Sequence, residues 1–276
     1  MTTTTQAPAA APKIRKAGFG RLMLAEWTKI RSVRSTVWAL LLLVILDLGF
    51  TALFTGLTAS QWDKTDASAR ASVMADPTGT ILGSGFFLSQ LTVCVLGVMV
   101  IGSEYSTGMI RASLMAVPRR LSMLTAKAVV FTALIFVLGT AVSFGSFFIG
   151  APILHSKVPV SLGDPGVLRA VIGGGLYLAM LGLFALALGA IIRHTAAGIT
   201  GVIGFVLVLA PLAALLPGSL GKHVHAYLPS EAGHLIGQAR QGSSDLLTPW
   251  QGFGVFAIWT LVLLIVAGAL LQRRDA

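Results

Sequence analysis

Three features of the sequence predict an all-α integral membrane protein with six transmembrane helices. Six apolar segments each come close to the roughly 20 residues that a helix needs to cross about 30 Å of hydrocarbon. Hydrophobic residues make up 55% of the chain and charged residues 11%, with a mean hydropathy of +0.85. A soluble domain carries roughly 25% charged residues, so this chain has too little charge to cover a water-facing surface. The third feature is placement: the basic residues gather at the flanks of the apolar segments.

Residues 1–17 open with MTTTTQAPAAAPKIRK, which lacks the apolar core of a signal peptide and is expected to form a disordered tail. Residues 18–276 are expected to form one transmembrane domain. It begins with Phe19 to Ser35, a basic amphipathic helix of the kind that lies in a membrane interface. At 100° per residue Phe19, Leu22, Met23, Trp27, Ile30 and Val33 share one face, and Arg21, Thr28, Arg31 and Ser32 share the other. Glu26 falls in the apolar arc, where a lipid-facing carboxylate is costly. Its partner is expected to be a neighbour, Lys29 or Arg34, or else Arg111 or Arg119 from the central basic loop.

The spans are placed at about 36–58, 80–102, 127–150, 168–192, 197–217 and 252–271. Of the twenty lysines and arginines, fourteen fall in the tail, the first helix, the second and fourth connections and the C-terminus. The positive-inside rule then puts both termini in the cytoplasm, as an even number of spans requires. The +10 net charge is accounted for in this way, and no nucleic-acid partner is implied. On the outer side, residues 59–79 read as a solvated loop, and 151–167 as a short one rich in proline. Residues 218–251 form the longest outer connection, and within it the Ala-Gly-His-Leu-Ile patch bounded by Pro229 and Pro249 reads as one or two short helices dipping toward the outer leaflet. The turn at Arg193 to Ala196 is a tight helical hairpin, too short to hold a docking element.

That leaves two cytoplasmic handles, the N-terminal helix and residues 102–127, GSEYSTGMIRASLMAVPRRLSMLTAK. Thr107 to Val117 can form about three helical turns with Met109, Ile110, Leu114 and Val117 as apolar positions. Gly108 loosens the start, and Pro118 stops the helix by restricting the residue before it. Arg119, Arg120 and Lys127 are expected to anchor the next span at the lipid headgroups.

The run from Gly102 to Arg120, with Lys127 beyond, resembles the pattern after the second span of type-2 ABC transporter permeases; Met109 stands where threonine is more usual. The opening Glu26-Trp27-Thr28-Lys29-Ile30-Arg31-Ser32 and the six-span layout are similar too. The resemblance implies a membrane subunit that pairs with a second permease copy, identical or related, and with a separately encoded ABC ATPase. ATP and Mg are expected on that partner, and no cofactor on this chain. It further implies that Glu104, Tyr105, Arg111, Leu114, Pro118 and Arg119 belong to a coupling helix region that touches the ATPase. Glu26, Trp27, Lys29 and Arg31 belong to a helix lying on the inner leaflet of a bacterial plasma membrane. The implied activity is export.

No G-x-x-x-x-G-K-[ST] run exists in the chain, so it lacks a phosphate cradle of its own. Gly173-Gly174-Gly175, like Gly198, Gly201, Gly204, Gly182, Gly189 and Ala185, suits close helix packing. All five histidines fall in connections, which argues against a buried serine–histidine pair near Gly83-Ser84-Gly85. His223 and His225 alternate as in a strand and lack a third ligand at metal spacing; no metal site is expected. Asp47 lies midway along the first span, where a carboxylate costs roughly 2.5–3.5 kcal/mol. It either lines a pathway for a cationic substrate or bonds a neighbouring helix, for example through Gln90 or Ser84. Two other classes stay open: a stand-alone channel or secondary carrier, and a membrane scaffold or sensor component. A carrier would be expected to place several ionisable groups near the midplane, and only Asp47 is there.

Overall fold

The computed structural model describes residues 18–109, 120–242 and 245–273. It is helical throughout, with no strand among the described residues. After α1 (Phe19–Ser32), the backbone is extended at Val33 and enters α2 (Arg34–Ser60). A short α3 (Ala67–Ala75) precedes α4 (Pro77–Ser106), α5 (Arg120–Leu154) and α6 (Val167–Ile192). Then come α7 (Thr195–Ala214), the small helices α8 (Gly218–Ala226) and α9 (Pro229–His234), and α10 (Pro249–Arg273). Helices α2, α4, α5, α6, α7 and α10 are the six long and apolar enough to cross a membrane. They correspond one for one to the expected spans. The tail at 1–17 lies outside the described residues.

Helix α6 is the most enclosed span and packs against α4, α5, α7 and α10; α2 lies outermost against α4 and α5. Small residues allow the close approach. A Cβ on Gly97 of α4 would stand 2.6 Å from the Gly182 carbonyl of α6, and one on Gly175 would run into Thr140 of α5. Gly182, Gly189 and Gly198 likewise meet neighbouring helices, as expected. Gly204 does not: nothing lies within 4 Å of where its Cβ would be. It instead opens a π-helical turn over Gly204–Val208. Pro211 has no N–H for the Leu207 carbonyl and crowds it, and a widened turn just upstream relieves that conflict.

The connections differ from expectation in three places. Residues 59–79 are not a plain loop but a 3₁₀ turn at Trp62–Lys64 and helix α3. Asp66 accepts from Ala69 N–H at 2.9 Å and Asp76 from Gly79 N–H at 3.0 Å, so both aspartates are helix N-caps. His223 and His225 lie on helix α8 and not on a strand. Helix α5 begins at Arg120, seven residues before the expected start of the third span. Between Pro229 and Pro249 the expected short helix is present as α9, followed by a 3₁₀ turn at Leu235–Gly237, whereas α8 lies ahead of that patch, where no helix is expected.

Candidate functional site

The second span stops at the basic end of the bundle for a local reason. Thr107 N–H bonds back to Ser103, and Gly108 turns left-handed at φ 69° with its N–H on the Tyr105 carbonyl. Only glycine adopts that conformation at little cost. Thr107 and Gly108 therefore terminate α4, and a coupling helix can start no earlier than Met109. Arg111, Leu114, Pro118 and Arg119 lie outside the described residues.

On either side of that connection the chain buries a charged quartet. Lys127 Nζ donates to Glu26 Oε2 at 2.6 Å and to Glu104 Oε1 at 2.8 Å. Lys29 Nζ donates to Glu26 Oε1 at 2.8 Å and to Glu104 Oε1 at 3.0 Å. Glu26 and Glu104 are 4% exposed and Lys127 only 2%. Burying one unpaired ion costs several kcal/mol, so Glu26, Glu104 and Lys127 could not stand here alone, while Lys29, its side chain 35% exposed, reaches in from the edge. Two carboxylates and two ammoniums cancel, and the four tie α1, the end of α4 and the start of α5 together. Burial alone would lower the Lys29 pKa, but its hydrogen bonds to Glu26 and Glu104 outweigh this and hold it above the ordinary lysine value. Glu104 Oε2 is buried without a hydrogen-bond partner among the described residues. A cleft of about 280 Å³ opens beside the quartet, edged by Ser32, Ser35, Ser103 and Met109.

The remaining spans join at the same level. The Arg193 guanidinium sits 5.3 Å from the Tyr105 ring centroid and donates to the Leu270 carbonyl at 3.1 Å. Arg120 donates to the Leu271 carbonyl at 3.0 Å. Two arginines thus satisfy carbonyls at the C-terminus of α10, where cations are favoured. A Cβ on Gly102 would stand 2.8 Å from Thr195 Oγ1 at the start of α7.

Against the sequence, Glu26 does pair with Lys29, but its other partner is Lys127 and not Arg34. Lys127 is no headgroup anchor: with α5 starting at Arg120, it sits seven residues, or about 10 Å, inside the helix. Trp27 and Arg31 are exposed and take no part in the quartet.

A second buried polar group lies midway along the spans. Ser89 Oγ of α4 donates to Asp47 Oδ2 at 2.5 Å, and Ser146 Oγ of α5 to Oδ1 at 2.6 Å. Thr51 donates to Ser146 at 3.2 Å. All four side chains are 4% exposed or less. Helix α4 comes this close because a Cβ on Gly85 would run into the Asp47 carbonyl oxygen. The suggested partners are otherwise engaged: Gln90 accepts from Tyr177, and Ser84 donates to its own helix at Thr80.

At the far end, Arg169 donates to the carbonyls of Ile236, Gln238 and Ala239, and Ala239 N–H donates to Asp76. Burial pushes the Asp76 carboxyl above the ordinary value, with the Gly79, Ala239 and Arg240 backbone groups opposing. Among the described residues no cluster of three or more His, Cys, Asp or Glu could hold a metal ion.

Residues 22–211 match the family described as "ABC-2 family transporter protein". The chain belongs to this family. The match runs from α1 into α7 and takes in every residue of the quartet and of the Asp47 group. As an ABC-2 family member the chain is a multi-pass membrane component of an ABC transporter. No curated protein matches it. Lys127, expected at the headgroups, is instead buried between Glu26 and Glu104. The available signal was a pair of misplaced charges: Glu26 in an apolar arc and a lysine at the head of an apolar run.

Proposed function

We propose that the chain is the permease of an exporter in a bacterial plasma membrane, driven by a separate ABC ATPase that holds the ATP and Mg. Two permease copies, identical or related, form the working unit, and both termini face the cytoplasm with the quartet. The observation that carries the coupling reading is the quartet itself. It brackets the 107–119 connection, so a push on that connection reaches α1, α4 and α5 together. Closure of the ATPase pair displaces the connection, Glu104 moves with it, and Lys127 and Lys29 pass the movement to α5 and α1. Glu26 and Glu104 share both lysines, so the pairs can slide without leaving a charge bare. Arg193 and Arg120 extend the linkage to α10.

Mild-detergent pull-down of the tagged chain from its host tests this reading. A P-loop ATPase should co-purify in stoichiometric amount, and Glu104→Gln should keep that complex while uncoupling ATP hydrolysis from transport. A chain that transports when purified alone, or that keeps full coupling in Glu104→Gln, would overturn it.

A further inference from the structure

We infer that a groove between α1 and α5 is a binding site for one anionic phospholipid, with an acyl chain in the groove and the phosphate on Arg31. The inference needs α1 to lie at the membrane surface and does not depend on the ATPase reading. The chain path is compatible with that position, since one extended residue, Val33, breaks α1 from the first span. The groove has a volume of about 450 Å³ and is lined by apolar side chains. Leu24 and Trp27 form its α1 wall, with Val129, Ala133 and Val137 opposite, a run of about 12 Å along α5 at 1.5 Å per residue. Leu24 is 66% exposed, Trp27 44% and Val137 67%, so the groove opens outward and no other part of the described chain fills it.

The charge at its rim selects the occupant. Arg31, expected opposite Trp27, in fact follows it by four residues and so stands only about 40° from it around α1, and Arg21 precedes Leu24 by three. Both are exposed and neither has an acidic partner among the described residues. The one carboxylate on α1, Glu26, is turned away into the quartet and cannot neutralise them. The outward side of the helix is thus an apolar slot beside uncompensated guanidiniums, which suits a fatty chain joined to a phosphate and an overall negative headgroup. Trp27 suits the same boundary, with its ring at headgroup level.

The test reconstitutes the full chain in phosphatidylcholine vesicles doped with a small fraction of phosphatidylglycerol carrying brominated acyl chains. Quenching of the Trp27 fluorescence is isolated by comparison with Trp27→Phe. Brominated phosphatidylglycerol should reach Trp27 with about fivefold preference over brominated phosphatidylcholine, the factor that corresponds to ~1 kcal/mol for one basic residue near the surface. Arg31→Gln should abolish the preference, and Ala133→Phe, which fills an exposed wall position, should reduce quenching by both lipids. Arg34→Gln removes a nearby exposed charge off the groove and should change nothing. Equal quenching by the two lipids, an unchanged signal in Ala133→Phe, or equal loss in Arg34→Gln and Arg31→Gln would each overturn the site.

Discussion

The two buried polar groups solve one problem in opposite ways. At the basic end, two carboxylates and two ammoniums neutralise one another across three helices. In mid-span, a single carboxyl is held by hydroxyls, with no cation beside it among the described residues. Hydroxyls are fixed by the helices that carry them and each satisfies one oxygen, so the Asp47 group acts as a clamp of one geometry. The quartet has shared partners, an unbonded Glu104 oxygen and a cleft beside it, so its members can exchange contacts while staying neutral. The difference sets a clamp of one geometry against a neutral group whose contacts can be exchanged, as the proposed coupling requires.

The strongest way to break this comparison is at Lys127. Lys127→Met leaves two buried carboxylates facing each other across Lys29, and removing one partner of a buried pair costs about 3–5 kcal/mol. A large fall in the detergent unfolding temperature is expected, with coupling lost. The exchange Glu104→Lys with Lys127→Glu restores neutrality and should recover much of the stability. If the double variant is no better than the single, charge balance does not hold the site together.

Asp47 should respond less, and differently. Asp47→Leu strands the hydroxyls of Ser89 and Ser146, about 1–3 kcal/mol, whereas Asp47→Asn keeps an acceptor and a donor in place. Unfolding and transport measured together sharpen the contrast. Destabilisation in Leu with near-normal transport in Asn is expected of a clamp. Transport lost in a well-assembled Asn variant would make Asp47 a reader of cationic substrate instead.

How much of this was legible depends on the range over which each feature is encoded. Spans are local: runs of Leu, Val and Ala between basic flanks gave six helices at nearly the right positions. The need for a partner was legible too, for Glu26 in its apolar arc and for Asp47 in its span. The partner's identity was not. Ser89 and Gln90 differ by 100° around α4, and which of them meets Asp47 depends on how α4 is rotated against α2, a property of the packed bundle. Lys127 was hidden by its company, since Arg119, Arg120 and Lys127 together read as headgroup anchors. Some signals were simply passed over. Asp76 followed by Pro77 is a helix start, with an N-cap aspartate and proline at the first position, and residues 59–79 still read as a loop.

The far end gives a smaller effect on the same theme. Asp76 caps α4 and also accepts from Ala239, so Asp76→Ala should cost about 0.5–2 kcal/mol through the cap and free the 235–242 segment to exchange its amides faster. Asp66 caps only the exposed α3, and Asp66→Ala should leave that segment unchanged. Equal exchange in the two variants would mean that the Asp76–Ala239 bond does not tie the segment down.

The smallest expected effect is on pH response, and it again contrasts with the quartet. Lys29 is held above the ordinary lysine value, so its contribution is complete at neutral pH and fades only in strong alkali. His234 behaves oppositely. Burial beside the Phe86 and Tyr177 rings lowers its pKa, and Glu231 and Asp76 offset this only in part. While α9, which caps this end of the bundle, stays packed on α10 and α6, His234 keeps a neutral imidazole, and if that cap opens it takes up a proton below the ordinary value of 6.5. Its contribution to cap closure is therefore present above pH 6.5 and is lost as the pH falls toward the lowered value. Trp259, whose indole N–H donates to the Tyr227 carbonyl at 3.1 Å, reports on the cap. Its emission should hold above pH 6.5 and shift as the pH falls below that value, and His234→Gln should flatten the response. A shift that survives in His234→Gln would mean that His234 does not govern the response.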